Sequence, residues 1–441
     1  MIRATNHTLK FSNTGKIDVL SLFIDESKRV ANLYLDYLWN NKIEWSYIKD
    51  GETIIKVMDI QNNLLEHPNM LKNPELESKM GGLQSDLSAR VKKCLLTQVL
   101  GIIGASVEKQ RKRLYMLDKL KTTGGVISRQ FIKKLSDNIP VKPNIDNMDL
   151  ELNSICCTFE KKEDGKFNGF IKLSSLGKPY KKILIPIKFH RCNKKYSTWT
   201  LLQSFLISKS CISFRWEKEK PPIKDVGIIV GCDQGMKSIL MLSDGQHPPI
   251  TNNHDKSLES IMYDLSRRKK NSNGFKRAQD HRKNFINWSI NQMHFDDVRQ
   301  VNVEKIWNIG YKNRSSRLMS HWTNTLIRDK LYSALEILGV QVKEQSSTYR
   351  SQRCSVCGLV LKSNRKGKLY FCKDCGNAID ADLNASLNHE AILPDVPYDL
   401  RSSGLNLKGF YWKPEGFFDL NGEVLTVPPV PKIENNIVNE S

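Results

Sequence analysis

Four cysteines near the C-terminal end constrain this chain more tightly than any other feature. They stand as Cys354-Ser-Val-Cys357-Gly and, after fourteen intervening residues, Cys372-Lys-Asp-Cys375-Gly. Two Cys-x-x-Cys knuckles separated by a short basic hairpin are the sequence form of a four-thiolate zinc ribbon. Each knuckle brings two thiolates close enough to share one tetrahedral ion, and the glycine behind it permits a tight turn. Four protein ligands leave no open coordination position, so the one Zn2+ expected at Cys354, Cys357, Cys372 and Cys375 is structural. Chemistry must then lie beside it. The stretch Asp380-Ala-Asp382-Leu-Asn-Ala-Ser-Leu-Asn388, directly after the ribbon, is where acids stand closest.

With 441 residues the chain is too long for one ordinary domain, and its 39% hydrophobic content suffices for buried cores. No apolar run approaches a membrane span, and Met1-Ile-Arg-Ala-Thr-Asn lacks the layout of a secretion signal. A net charge of +21 calls for a polyanionic partner, and nucleic acid is the commonest one. Ten cysteines without a secretion signal suggest a reducing compartment such as the cytoplasm. Beyond the ribbon, Cys94, Cys156, Cys157, Cys192, Cys211 and Cys232 show no ligand spacing and read as packing.

In chain order, residues 6–12 alternate as a half-buried strand does. Leu22, Phe23, Val30, Leu33, Tyr34, Tyr37 and Leu38 mark a long amphipathic helix. A second helix, with Ser85-Asp86 as its expected N-cap, carries a stripe from Leu87 to Val107. It ends in Lys109, Arg111, Lys112 and Arg113, a basic end suited to phosphates. Residues 50–82 hold shorter pieces. After Thr122-Thr-Gly-Gly125, a short helical piece and a Pro140–Pro143 linker, the texture turns to strands at 154–159, 170–173, 183–189 and 210–216. That spacing suggests a small antiparallel barrel, which the first strand could join, leaving the helices as an insertion.

Beyond Pro221-Pro222, Val226–Asp233 reads as a buried strand ending in an acid, and Ser238–Leu242 as its hairpin return. Residues 256–295 are helical and basic, with Arg267, Arg268, Lys269, Lys270, Lys276, Arg277, Arg282 and Lys283 as phosphate candidates. Trp288 and Trp322 sit at core spacing. Gln300–Glu304 is a second strand ending in an acid; a helix over 318–338 and a strand from Gly339 to Lys343 precede the ribbon. The tail after Leu393 is rich in Pro, Asn and Gly, and its end from Pro428 reads as disordered. Strand, hairpin, helices, strand, helix, strand, zinc insert, helix is an order that suits an RNase H-like α/β domain. Acids at strand ends there meet an acid from a late helix: Asp233, Glu304 and Asp382. In-line cleavage of a phosphodiester is served by two hard cations about 3.5–4 Å apart, and carboxylates hold them. Two Mg2+ ions are therefore expected at Asp233, Glu304 and Asp382. Asp380 competes with Asp382 as third acid but points to another helix face.

At these residues the chain resembles the transposon-encoded TnpB nucleases and the compact type V (V-F-like) CRISPR effectors. Asp233-Gln-Gly235, Glu304, Tyr349-Arg-Ser-Gln-Arg-Cys354, both knuckles and Asp382-Leu-Asn-Ala carry the resemblance, within residues 226–390. The N-terminal half matches in layout only. Lys305, Arg350 and Ala381 depart from the family's usual residues, and none removes a metal ligand. The resemblance implies a multi-domain α+β protein. A wedge β-barrel (1–15 and 123–222) would carry a helical recognition insert (16–122). A RuvC-like domain (223–350, closed by a helix at 380–393) would carry the zinc ribbon (351–379), with a tail at 394–441. It implies an RNA-guided DNA endonuclease. Its partners would be a guide RNA, double- and single-stranded target DNA and, as in the small type V-F effectors, a second copy of the chain; no membrane is involved. The alternative is an RNA-guided repressor or transposition regulator that binds without cutting.

Overall fold

The computed structural model describes residues 1–40, 46–49, 52–55, 84–122, 142–163, 165–177, 179, 181–235, 238–306, 321, 323–397, 400–401 and 403–425. Most of the 50–82 segment, the helical piece after Gly125, the first residues of the 318–338 helix, Trp322 and the end of the tail lie outside them. So do the side chains of Arg111, Lys112, Arg113 and Cys192. The chain divides into two compact units, Met1–Glu219 and Lys220–Ser441.

In the first unit β1 (Ile2–Thr8) leads into α1 (Thr14–Asn40); the short hairpin β2 (Ser46–Lys49) and β3 (Glu52–Ile55) precedes α2 (Ala89–Thr122). The α2 cap is Ser88 and not Ser85-Asp86: the Ser88 hydroxyl accepts the Val91 N–H, while Ser85 accepts that of Leu87. The register of the apolar stripe decides between them, because Leu87 is buried ahead of the helix. Seven further strands follow: β4 (Leu150–Asn153), β5 (Cys157–Lys161), β6 (Gly169–Ser174), β7 (Lys182–Ile187), β8 (Thr200–Leu201), β9 (Ser204–Ile207) and β10 (Cys211–Glu217).

The expected barrel does not close among the described residues. The strands form a sheet ordered β1-β10-β9-β4, with β8 also on β10, and a separate three-stranded sheet β5-β6-β7. The early strand does join, pairing antiparallel with β10 from Ile2↔Glu217 to Thr8↔Cys211. Its hydrogen-bonded length starts earlier than the alternation at 6–12 indicates, because pairing with β10 holds residues whose own pattern is weak. Both helices and both sheets share one apolar core, in which Cys156 and Cys157 are buried.

The second unit is built on β11 (Ile228–Gln234), β12 (Leu240–Leu242), α3 (Leu258–Arg267), α4 (Asn273–Ile290), β13 (Val298–Lys305), α5 (Asn324–Leu338) and β14 (Gln341–Ser346). The sheet order is β12-β11-β13-β14. β12 returns antiparallel to β11, whereas β13 lies parallel to both β11 and β14. Val230, Cys232, Val301 and Val303 enter the core with α3, α4 and α5. Strand side chains alternate faces, so Gly231, Asp233, Asn302 and Glu304 look to the opposite side. That side receives α6 (Ala381–Glu390). It follows β15 (Leu359–Val360), β16 (Arg365–Lys366), β17 (Leu369–Phe371) and β18 (Ala378–Asp380). An alanine methyl at Gly231 would overlap the Ser386 carbonyl oxygen and the Glu390 backbone nitrogen, both backbone atoms of α6. Glycine is what lets helix and strand approach that closely.

The tail is more structured than its composition suggests. β19 (Phe410–Lys413) and β20 (Gly416–Phe418) add to β15 of the ribbon. Phe410, Trp412 and Phe417 form a small core with Val360, Val396 and Leu400.

Candidate functional site

The ribbon follows from local chemistry. Backbone bonds from Gly358 to Cys354 and from Gly376 to Cys372 close the two knuckles, and both glycines sit at left-handed φ, 84° and 73°. The turns thereby aim four thiols at one point: Cys354 Sγ lies 3.6 Å from Cys375 Sγ, and Cys357 Sγ lies 3.5 Å from Cys372 Sγ. All four sulfurs lie within 4.8 Å of one another. Sulfurs around a tetrahedral zinc with bonds of about 2.3 Å stand roughly 3.8 Å apart, so the cluster is compatible with zinc.

The ribbon is fastened to α6 by the Asn residues of the motif that follows it. Asn384 accepts the Ser355 N–H and donates to the Arg353 carbonyl. One turn on, Asn388 donates to the carbonyls of Arg350 and Arg353 and accepts from the Arg353 guanidinium. Residues four apart share a helix face, which explains the Asn-x-x-x-Asn spacing. Arg350, a departure from the family pattern, is buried and donates to the carbonyls of Ser346 and Asn388. Ala381, another departure, is buried in the ribbon's small core.

Asp380 caps α6: its carboxylate accepts the N–H groups of Asp382 and Leu383 at 2.8 and 3.1 Å. This occupies Asp380 structurally and leaves Asp382 free to point toward the sheet, beside Gly235. Asp382 accepts from Ser238 Oγ at 2.7 Å and from Arg365 Nη2 at 3.0 Å, and it pairs with Lys368 from the ribbon hairpin. Burial alone would raise its pKa; the Lys368 and Ser238 hydrogen bonds and the Lys368 and Arg365 charges outweigh it, so the carboxyl is held low.

Asp233 and Glu304 differ. Asp233 is 9% exposed, and burial, then the charges of Glu304 and Asp382, push its carboxyl well up against the opposing Arg365 and Lys368. Glu304 is raised to about 7, chiefly by burial, against the charge of Arg365. Arg365 bears on all three carboxyls, and Asp382 stands beside Gly235, two residues beyond Asp233. The tight donor group, however, is Asp233, Glu304 and His389, whose ligand atoms lie within 4.8 Å of one another. His389 was not apparent from sequence; its only sequence signal is a position seven residues, or two turns, after Asp382. Burial, then Arg350, lowers its pKa to about 3, so the ring is neutral. Ser238, Arg365 and Lys368 likewise escaped notice, because nothing in their local sequence marks them. Two close carboxylates are a donor set that suits a hard divalent cation.

Of the basic residues expected to meet phosphate, Lys109, Arg267, Arg268, Lys269, Lys270, Lys276 and Arg277 are exposed. Arg282 is a correction: it is buried and donates to the His321 carbonyl. Trp288 packs against the core beside Phe285. No helix among the described residues is long and apolar enough to cross a membrane.

Comparison with known proteins adds the following. Residues 326–389 match the family model described as Cas12f1-like, TNB domain. A "CRISPR-associated endodeoxyribonuclease Cas12f1" of Sulfoacidibacillus thermotolerans is 35% identical over 20% of this chain and 21% of its own length. A "Putative RNA-guided DNA endonuclease InsQ" of Escherichia coli (strain K12) is 25% identical over 43% of this chain and 56% of its own. The chain thus spans only about a fifth to just over half the length of these relatives. A Cas12f1–sgRNA–target DNA complex overlaps 89% of this chain and 99% of its own at 12% identity and a TM-score of 0.47. The resemblance to TnpB-like nucleases and type V effectors therefore holds in the compared sequences as well as in the motifs.

Proposed function

We propose that this protein is an RNA-guided DNA endonuclease that hydrolyses phosphodiester bonds of target DNA at Asp233, Glu304 and Asp382. One observation carries the reading. Two acids on adjacent parallel strands bring carboxylate oxygens within 4.8 Å of each other, Asp233 nearly buried and Glu304 half-buried, where their charge is unfavourable unless a cation joins them. The relatives' names supply the substrate class.

Bound Mg2+, two ions in this reading, supplies an activated water and stabilises the leaving oxygen. Asp233, Glu304 and Asp382 would be the residues that hold these ions. Lys368 and Arg365, already on Asp382, would exchange that carboxylate for the phosphate oxygens of the DNA. Cys354, Cys357, Cys372 and Cys375 hold one structural Zn2+ in this reading. The ribbon then positions Lys368, Arg365 and, through Asn384 and Asn388, the α6 helix. Arg267, Arg268, Lys269, Lys270, Lys276 and Arg277, on α3, α4 and the turn between them, with Lys109, Arg111, Lys112 and Arg113 on α2, serve the nucleic-acid backbone. A guide RNA reads the target by pairing, residues 1–225 read a short flanking motif in the duplex, and a second copy of the chain is a further candidate partner.

The test is cleavage of a plasmid library by the purified ribonucleoprotein with Mg2+. Linear product and a discrete copurifying RNA are expected. Asp382→Ala should abolish cutting and spare binding of RNA and DNA. Guided binding by the wild-type protein without any cut would instead establish the repressor alternative.

A further inference from the structure

We infer that His389 is a nitrogen ligand of the divalent ion held by Asp233 and Glu304, so that this site prefers Mn2+ to Mg2+. The inference rests on the proposed cation site and adds a donor that the three-acid set lacks.

The fold delivers the ring to that place. Gly231 lets the backbone of α6 settle directly on β11 at Ser386 and Glu390. Asn302, two residues before Glu304 on the same strand face, donates to the His389 carbonyl at 3.0 Å. Pinned on both sides, the last turn of α6 lies over the two strands that carry the acids. Helical side chains lean toward the N-terminus, so the His389 ring is carried from that turn toward Asp233 and Glu304. One ring nitrogen lies within 4.8 Å of a carboxylate oxygen of each. Donors around one ion with bonds of about 2.1 Å stand roughly 3.0–4.2 Å apart, so closing on an ion needs only small side-chain shifts.

The ring is also short of a partner. His389 is 1% exposed, and its Nδ1 has no hydrogen-bond partner among the described residues. A buried polar atom left unpaired is unfavourable. A histidine serving only to pack or to hold the helix end would be expected to bond a carbonyl or a carboxylate. A cation between the ring and the two acids accounts for the burial and for the lack of a partner. The chemistry then selects the ion. Mg2+ favours an all-oxygen, water-rich shell, whereas imidazole suits first-row transition ions.

The test uses the full-length, zinc-loaded protein and Mn2+ alone. Electron paramagnetic resonance of free Mn2+ gives the affinity, and electron spin echo modulation detects a coordinated imidazole nitrogen. We expect 14N modulation from wild-type protein that changes to the 15N pattern when histidine is 15N-labelled and vanishes in Asp233→Asn. His389→Leu and His389→Gln should each lose the modulation and at least tenfold in Mn2+ affinity, while Mg2+ affinity, read by competition, changes less than threefold. Two different His389 variants, of unlike side-chain chemistry, together with the Asp233 dependence of the labelled wild-type signal, keep the test decisive should one variant misfold. Mn2+ bound through Asp233 without histidine modulation overturns the inference and leaves the cation site standing. Absence of any Asp233-dependent Mn2+ binding overturns both.

Discussion

Glu304→Gln should make the metal-free protein clearly more stable at pH 8 and much less so at pH 5. Burial raises the Glu304 carboxyl from 4.5 to about 7 in the fold. A folded-state pKa above the unfolded one means stability that is present below about 4.5 and lost as pH rises through 7. At about 1.36 kcal/mol per unit, the fully ionised carboxylate costs the fold about 3 kcal/mol at pH 8. At pH 5 the same linkage leaves a penalty of under about 1 kcal/mol. Glutamine has nearly the same shape and cannot ionise, so it removes this pH dependence. The readout is native-state hydrogen exchange of peptides covering residues 298–305, which isolates this sheet from the first unit. Added Mg2+ should reverse the order, because only the wild-type site gains binding energy. A glutamine variant no more stable than wild type at pH 8, or equally favoured at pH 5, would refute the reasoning.

Gly231→Ala should lower stability by about 3 kcal/mol and abolish Mn2+ binding, since the added methyl meets helix backbone that cannot rotate away; thermal unfolding and the resonance titration read the two effects. On the proposed zinc site, a strong chelator should raise hydrogen exchange across residues 353–376 to nearly unfolded rates and loosen α6 through Asn384 and Asn388. The paired strands β1 and β10, which belong to the other core, should keep their protection.

What could be read from the sequence is local. The thiol cluster was legible because each knuckle is closed by two cysteines three positions apart and one glycine, and the short hairpin between the knuckles, paired antiparallel at Arg365–Lys366 and Leu369–Phe371, brings the two together. Asp233 and Glu304 were legible as acids ending apolar strands, because strand periodicity sorts them onto one face; Asp380 differs from Asp382 for another reason than the expected helix face, since it ends β18 and caps the helix that Asp382 opens. The barrel expectation failed for the complementary reason. Short alternating strands indicate a sheet, but closure depends on which edges pair, and here β5-β6-β7 forms a sheet of its own. The hairpin at β19 and β20 escaped for want of a local signal, since its partner β15 lies some fifty residues earlier.

By itself, then, the sequence determined the zinc-compatible cluster, the acids and the basic surface, all properties of residue type and short spacing. Only the tertiary structure decided that β13 lies between β11 and β14, that Arg365 and Lys368 reach back to Asp382, that Arg282 is buried, and that His389 joins the two strand acids. The last of these depends on Gly231 letting a helix touch a strand about 150 residues earlier in the chain. Short-range patterns encode which face a side chain takes, while the packing of distant backbones decides what that face meets.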